Sequence, residues 1–113
     1  MRKKMLIVED QMDVIDLMIS VVDRQKWDLV VVQDFKEAAQ TLVLFKYDVV
    51  VTDFQFPGGN GNMIGELAGK VGVGYIYLHT GDVENNEIDK TLYNEVFPKF
   101  SKDLMGILKG QSA

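Results

Sequence analysis

The chain has 113 residues, a hydrophobic fraction of 47%, a charged fraction of 26% and a formal net charge of −5. That length suits one domain able to bury its own core, and the composition is that of a folded chain rather than a disordered one. The acidic balance disfavours nucleic acid as a partner, and the absence of cysteine excludes disulfide scaffolds and thiolate metal sites.

The first residues, Met1-Arg2-Lys3-Lys4, open like the basic part of a signal peptide. The apolar run that follows, Met5 to Val8, stops at Glu9 and Asp10. A signal core needs about 7 apolar residues or more, so a secretory leader is not expected. No stretch approaches membrane-spanning length either. A cytoplasmic location without a membrane partner is the expectation, and residues 1–113 are expected to form a single domain.

Met5-Leu6-Ile7-Val8 is a short apolar run ending in acids, as a buried strand would be. Met12, Ile15, Ile19 and Val22 then recur at helical spacing. Leu29 to Val32 forms a second strand-like run, with Trp27 at its start as a hydrophobic cap. Asp34 is placed to cap a helix that carries Ala38, Leu42 and Phe45. Val49 to Thr52 is a third strand, and Gly58 to Gly61 a turn before a helix with Met63, Ile64, Leu67 and Ala68. Tyr75 to Leu78 is a fourth strand. The polar segment 81–94, with Ile88 and Leu92 at helical spacing, predicts a short or weak helix. Val96-Phe97 is a minimal fifth strand. Pro98 suits a sheet edge because it has no N–H to donate. Leu104, Ile107 and Leu108 predict a final helix ending near Gly110. Methionines and aromatics at helical spacing are read as core.

Near-continuous apolar strands alternating with helices predict an α/β fold. Its form is a flavodoxin-like, doubly wound parallel sheet of five strands in the order 2-1-3-4-5, with a short or irregular fourth helix. Ligands of such sheets bind beyond the carboxyl ends of the strands. The residues expected there are Glu9 and Asp10 after strand one, Asp53 after strand three, Thr80 after strand four and Lys99 after strand five. Three carboxylates at close range raise one another's pKa. A hard cation with oxygen ligands, Mg2+ above all, relieves that conflict and leaves positions for phosphoryl oxygens. A carboxylate beside it can attack phosphorus, Lys99 can neutralise the phosphoryl charge and Thr80 can donate a hydrogen bond. Each of these residues also has a plain reading: Asp53 a turn carboxylate, Glu9-Asp10 a helix N-terminal pair, Thr80 a strand end, Lys99 a solvated lysine. His79, the single histidine, is expected to be a satisfied, partly buried side chain, because no second His or Cys supports a ligand role. Gly58 to Gly61 is a turn rather than a phosphate cradle, for want of a Lys-Ser/Thr pair.

Taken together, these pieces resemble a known family. Leu6-Ile7-Val8-Glu9-Asp10 resembles the acidic-pair motif of CheY-like response-regulator receiver domains. Asp53-Phe54-Gln55-Phe56-Pro57-Gly58-Gly59-Asn60-Gly61 resembles their phosphoacceptor motif, and Tyr77 to Gly81 their strand-four switch motif. The resemblance spans essentially the whole chain. It implies a two-component signalling domain phosphorylated on Asp53 by a histidine kinase or phosphotransfer protein. It further implies Mg2+ on Asp10, Asp53 and the Gln55 carbonyl with Glu9 acting through water, Thr80 moving onto the phosphoryl group and Lys99 pairing with it. Gly81 would leave that group accessible. Three departures stand out. Pro98-Lys99 reverses the family's usual Lys-Pro order, Val96 occupies the position of a common aromatic switch residue, and the stretch from Thr80 to Lys99 is short.

Three functions follow. The first is a signalling phosphoacceptor, not a metabolic enzyme; with no output domain after Ala113 it is expected to act through contacts with a downstream protein, with a phosphorylation-dependent homodimer as one form. The second is a degenerate receiver that binds partners without phosphorylation. The third is an aspartyl phosphatase of the haloacid dehalogenase class, disfavoured because Gln55 stands where those enzymes carry a second Asp.

Overall fold

The computed structural model describes residues 2–110; the two ends of the expected 1–113 domain lie outside them. In chain order the elements are strand β1 (Lys3–Val8), helix α1 (Met12–Val21), β2 (Trp27–Val32), α2 (Phe35–Leu44), β3 (Val49–Thr52), β4 (Gln55–Phe56), β5 (Gly59–Asn60), α3 (Gly61–Lys70), β6 (Tyr75–Thr80), β7 (Glu95–Pro98) and α4 (Lys102–Leu108). A 3-10 helix, Lys90–Leu92, lies between β6 and β7. Five strands form one parallel sheet in the order β2-β1-β3-β6-β7. Counted within that sheet alone, the order is the expected 2-1-3-4-5. Strands β4 and β5 form a separate antiparallel hairpin, where the sequence suggested only a turn. Its bend holds Gly58 at φ +83, a conformation that side chains rarely adopt.

The strands read as continuous apolar runs because both faces of the sheet are covered, yet alternate residues still part company. Leu6, Val8, Val50 and Leu78 enter one core with Ile64 and Ala68 of α3 and Leu42 of α2. Met5, Ile7, Val49, Val51 and Tyr77 enter the other, against Met18 of α1 and Leu104 and Leu108 of α4.

The helices hold where the periodicity places them, but some end residues do not bury. Met12, Phe45 and Met63, expected in the core, are 56%, 55% and 39% exposed. Met12 opens α1, and Phe45 lies one residue past α2. The buried stripe of α1 instead runs through Val14, Ile15 and Met18. The N-caps of α2, α3 and α4 are side chains that accept from backbone N–H groups: Asp34 from Glu37, Asn60 from Met63 and Ser101 from Leu104.

The expected short helix in 81–94 is reduced to the single 3-10 turn. The cause is local competition. Asp82, Asn85 and Asp89 each accept a hydrogen bond from the backbone N–H two residues on, which offers the chain an alternative to the helix. Ile88 and Tyr93 are buried and tie the segment to the α2/α3 core. Asn62 of α3 clasps it with three hydrogen bonds, to Glu87 O, from Asp89 N and from the Tyr93 hydroxyl.

Candidate metal centre

The register of the sheet brings the acids together. Val8 aligns with Thr52, and Thr52 with Leu78. One residue further on, Glu9, Asp53 and His79 fall in a single row across the carboxyl ends of β1, β3 and β6. Backbone bonds hold the row: Glu9 N donates to Val32 O and Asp53 N to Val8 O.

Carboxylate oxygens of Glu9, Asp10 and Asp53 lie within 4.8 Å of one another. Glu9 is fully buried and Asp53 nearly so, while Asp10 is partly exposed. Glu9 Oε2 accepts from the backbone N–H groups of Asp10 and Gln11 at 3.0 and 3.1 Å. Asp53 Oδ1 accepts from Phe54 N at 2.7 Å. Lys99 reaches the same point: its Nζ stands 3.4 Å from both Glu9 Oε1 and Asp53 Oδ2. The reversed Pro98-Lys99 order therefore does not turn the ammonium away. Lys99 N donates to Thr80 O, which extends the β6–β7 ladder past Pro98, and the chain turns only afterwards, at Phe100 with φ 62.

The electrostatics are those of a site short of positive charge. Burial raises the Glu9 pKa most; Asp53 beside it raises it further, against the pull of the Gln11 N–H and of Lys99. Burial likewise raises Asp53, opposed chiefly by Lys99. One lysine serves two buried carboxylates. An all-oxygen donor set that is over-supplied with negative charge fits a hard divalent cation such as Mg2+.

Thr80 is buried at the end of β6, and its Oγ1 accepts from Asp82 N. Gln55 lies two residues after Asp53, on the hairpin rim. Asp10, Gln55, Thr80, Gly81 and Lys99 line one cleft with Asp53, of about 730 Å3. A Cβ added at Gly81 would meet nothing within 4 Å, so the entrance beside Thr80 is open. The strand ends thus gather every residue that the sequence singled out for the pocket.

His79 is where sequence reasoning fell short. It is 1% exposed rather than partly buried, and its Nε2 has no hydrogen-bond partner among the described residues. That atom lies 3.4 Å from Glu9 Oε1, itself buried and without a hydrogen bond. Burial, with Lys99 nearby, lowers the imidazole pKa to about 3, so the ring is neutral. The only signal was the shared row, which becomes visible once the strand registers are known.

No family model matches the sequence, and no curated protein matches it. Solved structures do match. The response regulator TrrA of Thermotoga maritima, in complex with Mg2+-BeF, superposes with a TM-score of 0.82 at 20% identity, over 97% of this chain and 99% of that one. A CheY-like receiver domain protein of Methanospirillum hungatei gives 0.82 at 19% identity, over 98% and 94%. The receiver domain of a sensor histidine kinase of Pseudomonas aeruginosa, with magnesium coordinated in its active-site cleft, gives 0.80 at 18% identity, over 98% of each chain. The chain has the CheY-like receiver fold. Within a receiver fold the row of Glu9, Asp53 and His79 stands at the carboxyl edge of the sheet, where doubly wound folds take their ligands. Among the described residues no helix is long and apolar enough to cross a membrane.

Proposed function

We propose that the chain is a phosphoacceptor receiver domain of two-component signal transduction, phosphorylated on Asp53. The observation that carries the reading is the meeting of three carboxylates with Lys99 Nζ, 3.4 Å from Asp53, beside an open cleft that Asp10, Asp53 and Lys99 line. In this reading Asp10 and Asp53, with the Gln55 carbonyl, hold Mg2+, and Glu9 acts from behind them. When bound, the cation supplies charge that offsets the phosphoryl oxygens.

The chain's own residues do the rest. Asp53 Oδ2 stands on the Lys99 side, while Oδ1 is held by Phe54 N. A carboxylate oxygen of Asp53 forms the new O–P bond as the P–N bond of a phosphohistidine donor breaks. The leaving imidazole keeps the electron pair and takes a proton from solvent. Lys99 moves toward the phosphoryl oxygens, and Thr80, whose Oγ1 accepts from Asp82 N, turns its hydroxyl to donate a hydrogen bond to them. The donor is a histidine kinase or phosphotransfer protein. The phosphorylated form acts through contacts with a downstream protein or a second copy of itself, in the cytoplasm, as a signal carrier rather than a metabolic enzyme.

A radiolabelled small phosphodonor should label the wild type with Mg2+ present and leave Asp53→Asn unlabelled. Equal labelling of both proteins would place the chemistry elsewhere. One observation favours a second reading, a degenerate receiver that binds partners without phosphorylation: between Thr80 and β7 there is a single 3-10 turn in place of a helix. Magnesium binding without any label on Asp53 would select it.

A further inference from the structure

Glu9 is held asymmetrically. Its Oε2 is satisfied by two backbone N–H groups. Its Oε1 is buried and has no hydrogen bond, with Lys99 Nζ and His79 Nε2 each 3.4 Å away. Leaving both a buried carboxylate oxygen and a buried ring nitrogen unpaired is costly, and a small turn of either side chain would pair them. Lys99 is a divided partner, since it stands equally close to Asp53. A phosphoryl group on Asp53 would draw it further away. His79 is not divided. It is 1% exposed, faces Glu9 from behind the cleft and stands outside the group of ligand atoms formed by Glu9, Asp10 and Asp53.

We propose that His79 is a positioning residue: its imidazole donates Nε2–H to Glu9 Oε1 and fixes the carboxylate that completes the cation site. The assignment rests on the receiver reading above and adds a residue to it. Second-layer donors of this kind orient metal-binding carboxylates, and their loss weakens metal binding without removing a ligand. A histidine used only as core filler would have no need to present a nitrogen to a buried acid.

The test compares His79→Gln, which keeps an N–H donor at a similar reach, with His79→Met, which keeps the length and loses the donor. Mg2+ affinity is measured by calorimetry on the full chain, beside thermal melting. The Met variant should bind Mg2+ about 10-fold more weakly, the lower end of the usual second-layer effect. The Gln variant should stay near wild type although it melts no higher than the Met variant. Equal affinity in all three proteins, or equal loss in both variants, would overturn the assignment and leave the receiver reading in place. A wild type that takes up no Mg2+ would overturn both. Should the Met variant fail to fold, nitrogen-15 NMR of the wild-type imidazole decides: a proton on Nε2 whose shift moves with Mg2+ supports the role, and a ring protonated only on Nδ1 ends it.

Discussion

At the scale of single residues, the site is a balance between burial and one lysine. Asp53 has its pKa raised by burial despite Lys99. A carboxyl whose folded pKa lies above its unfolded value favours folding while protonated and loses that contribution as pH rises through the folded pKa. Without metal, Asp53 therefore weakens the fold wherever it is ionised. Asp53→Asn should melt higher than wild type in magnesium-free buffer, by about 4 °C for each 1 kcal/mol recovered. Added Mg2+ should narrow the gap by raising the wild type alone. A lower melting point for the Asn variant without metal would contradict this.

His79 works in the opposite direction. Its folded pKa, about 3, lies below the ordinary 6.5. Between those values the unfolded chain binds a proton that the folded chain does not. Stability contributed by His79 is thus present above pH 6.5 and lost on acidification, by at most about 1.4 kcal/mol per pH unit. Glu9 and Asp53 oppose that slope, so the comparison must be with a variant. Urea unfolding of His79→Gln should show a shallower loss from pH 6.5 downward than wild type. Parallel profiles would mean that the imidazole is not held neutral.

The acids were legible in the sequence at this scale, because each directly follows a short apolar run. The direction of Lys99 was not. It depends on the ladder bond from Lys99 N to Thr80 O and on the turn at Phe100, neither of which the Pro98-Lys99 order announces.

At the scale of elements, strands and helices followed the apolar periodicity, and errors gathered where an element ends. Met12 and Phe45 continue a helical pattern in the sequence, but Met12 is the first residue of α1 and Phe45 the one after α2, and both are exposed. The β4–β5 hairpin escaped notice because two-residue strands carry no period to read.

The 81–94 segment is the element that departs most from a helix, and its order rests on side-chain bonds instead. Asn62 is the main tie, through Glu87 O, Asp89 N and the Tyr93 hydroxyl. Burial and the nearby Asp89 push the Tyr93 hydroxyl pKa up, so the hydroxyl keeps its proton and remains a donor. Removing the clasp with Asn62→Ala should cost about 1–3 kcal/mol, the usual penalty for orphaned partners. Hydrogen exchange should speed up at Asp89 N–H and across 81–94 while β1 and β3 keep their protection. Uniform acceleration over the whole sheet would show that the segment is not a separate unit.

At the scale of the molecule, parallel pairing in the order β2-β1-β3-β6-β7 is what makes a site out of scattered residues. Glu9, Asp53 and His79 are far apart in the chain and share a row only because three strands run in the same direction and in register. The doubly wound class could be read from alternating strand and helix patterns, and with it the edge of the sheet where ligands bind. Which side chains touch could not, because register is set by packing on both faces, not by any one strand's composition.

On the proposed function, this edge accepts a phosphoryl group on Asp53. Intact-mass measurement of the wild type after incubation with a small phosphodonor tests it most directly, run in parallel with Mg2+ and with a chelator. An added mass of one phosphoryl group is expected with Mg2+ and none with the chelator, with fragmentation placing the group on Asp53. A folded, magnesium-bound protein that gains no mass, from the small donor or from phosphohistidine donors, would contradict it.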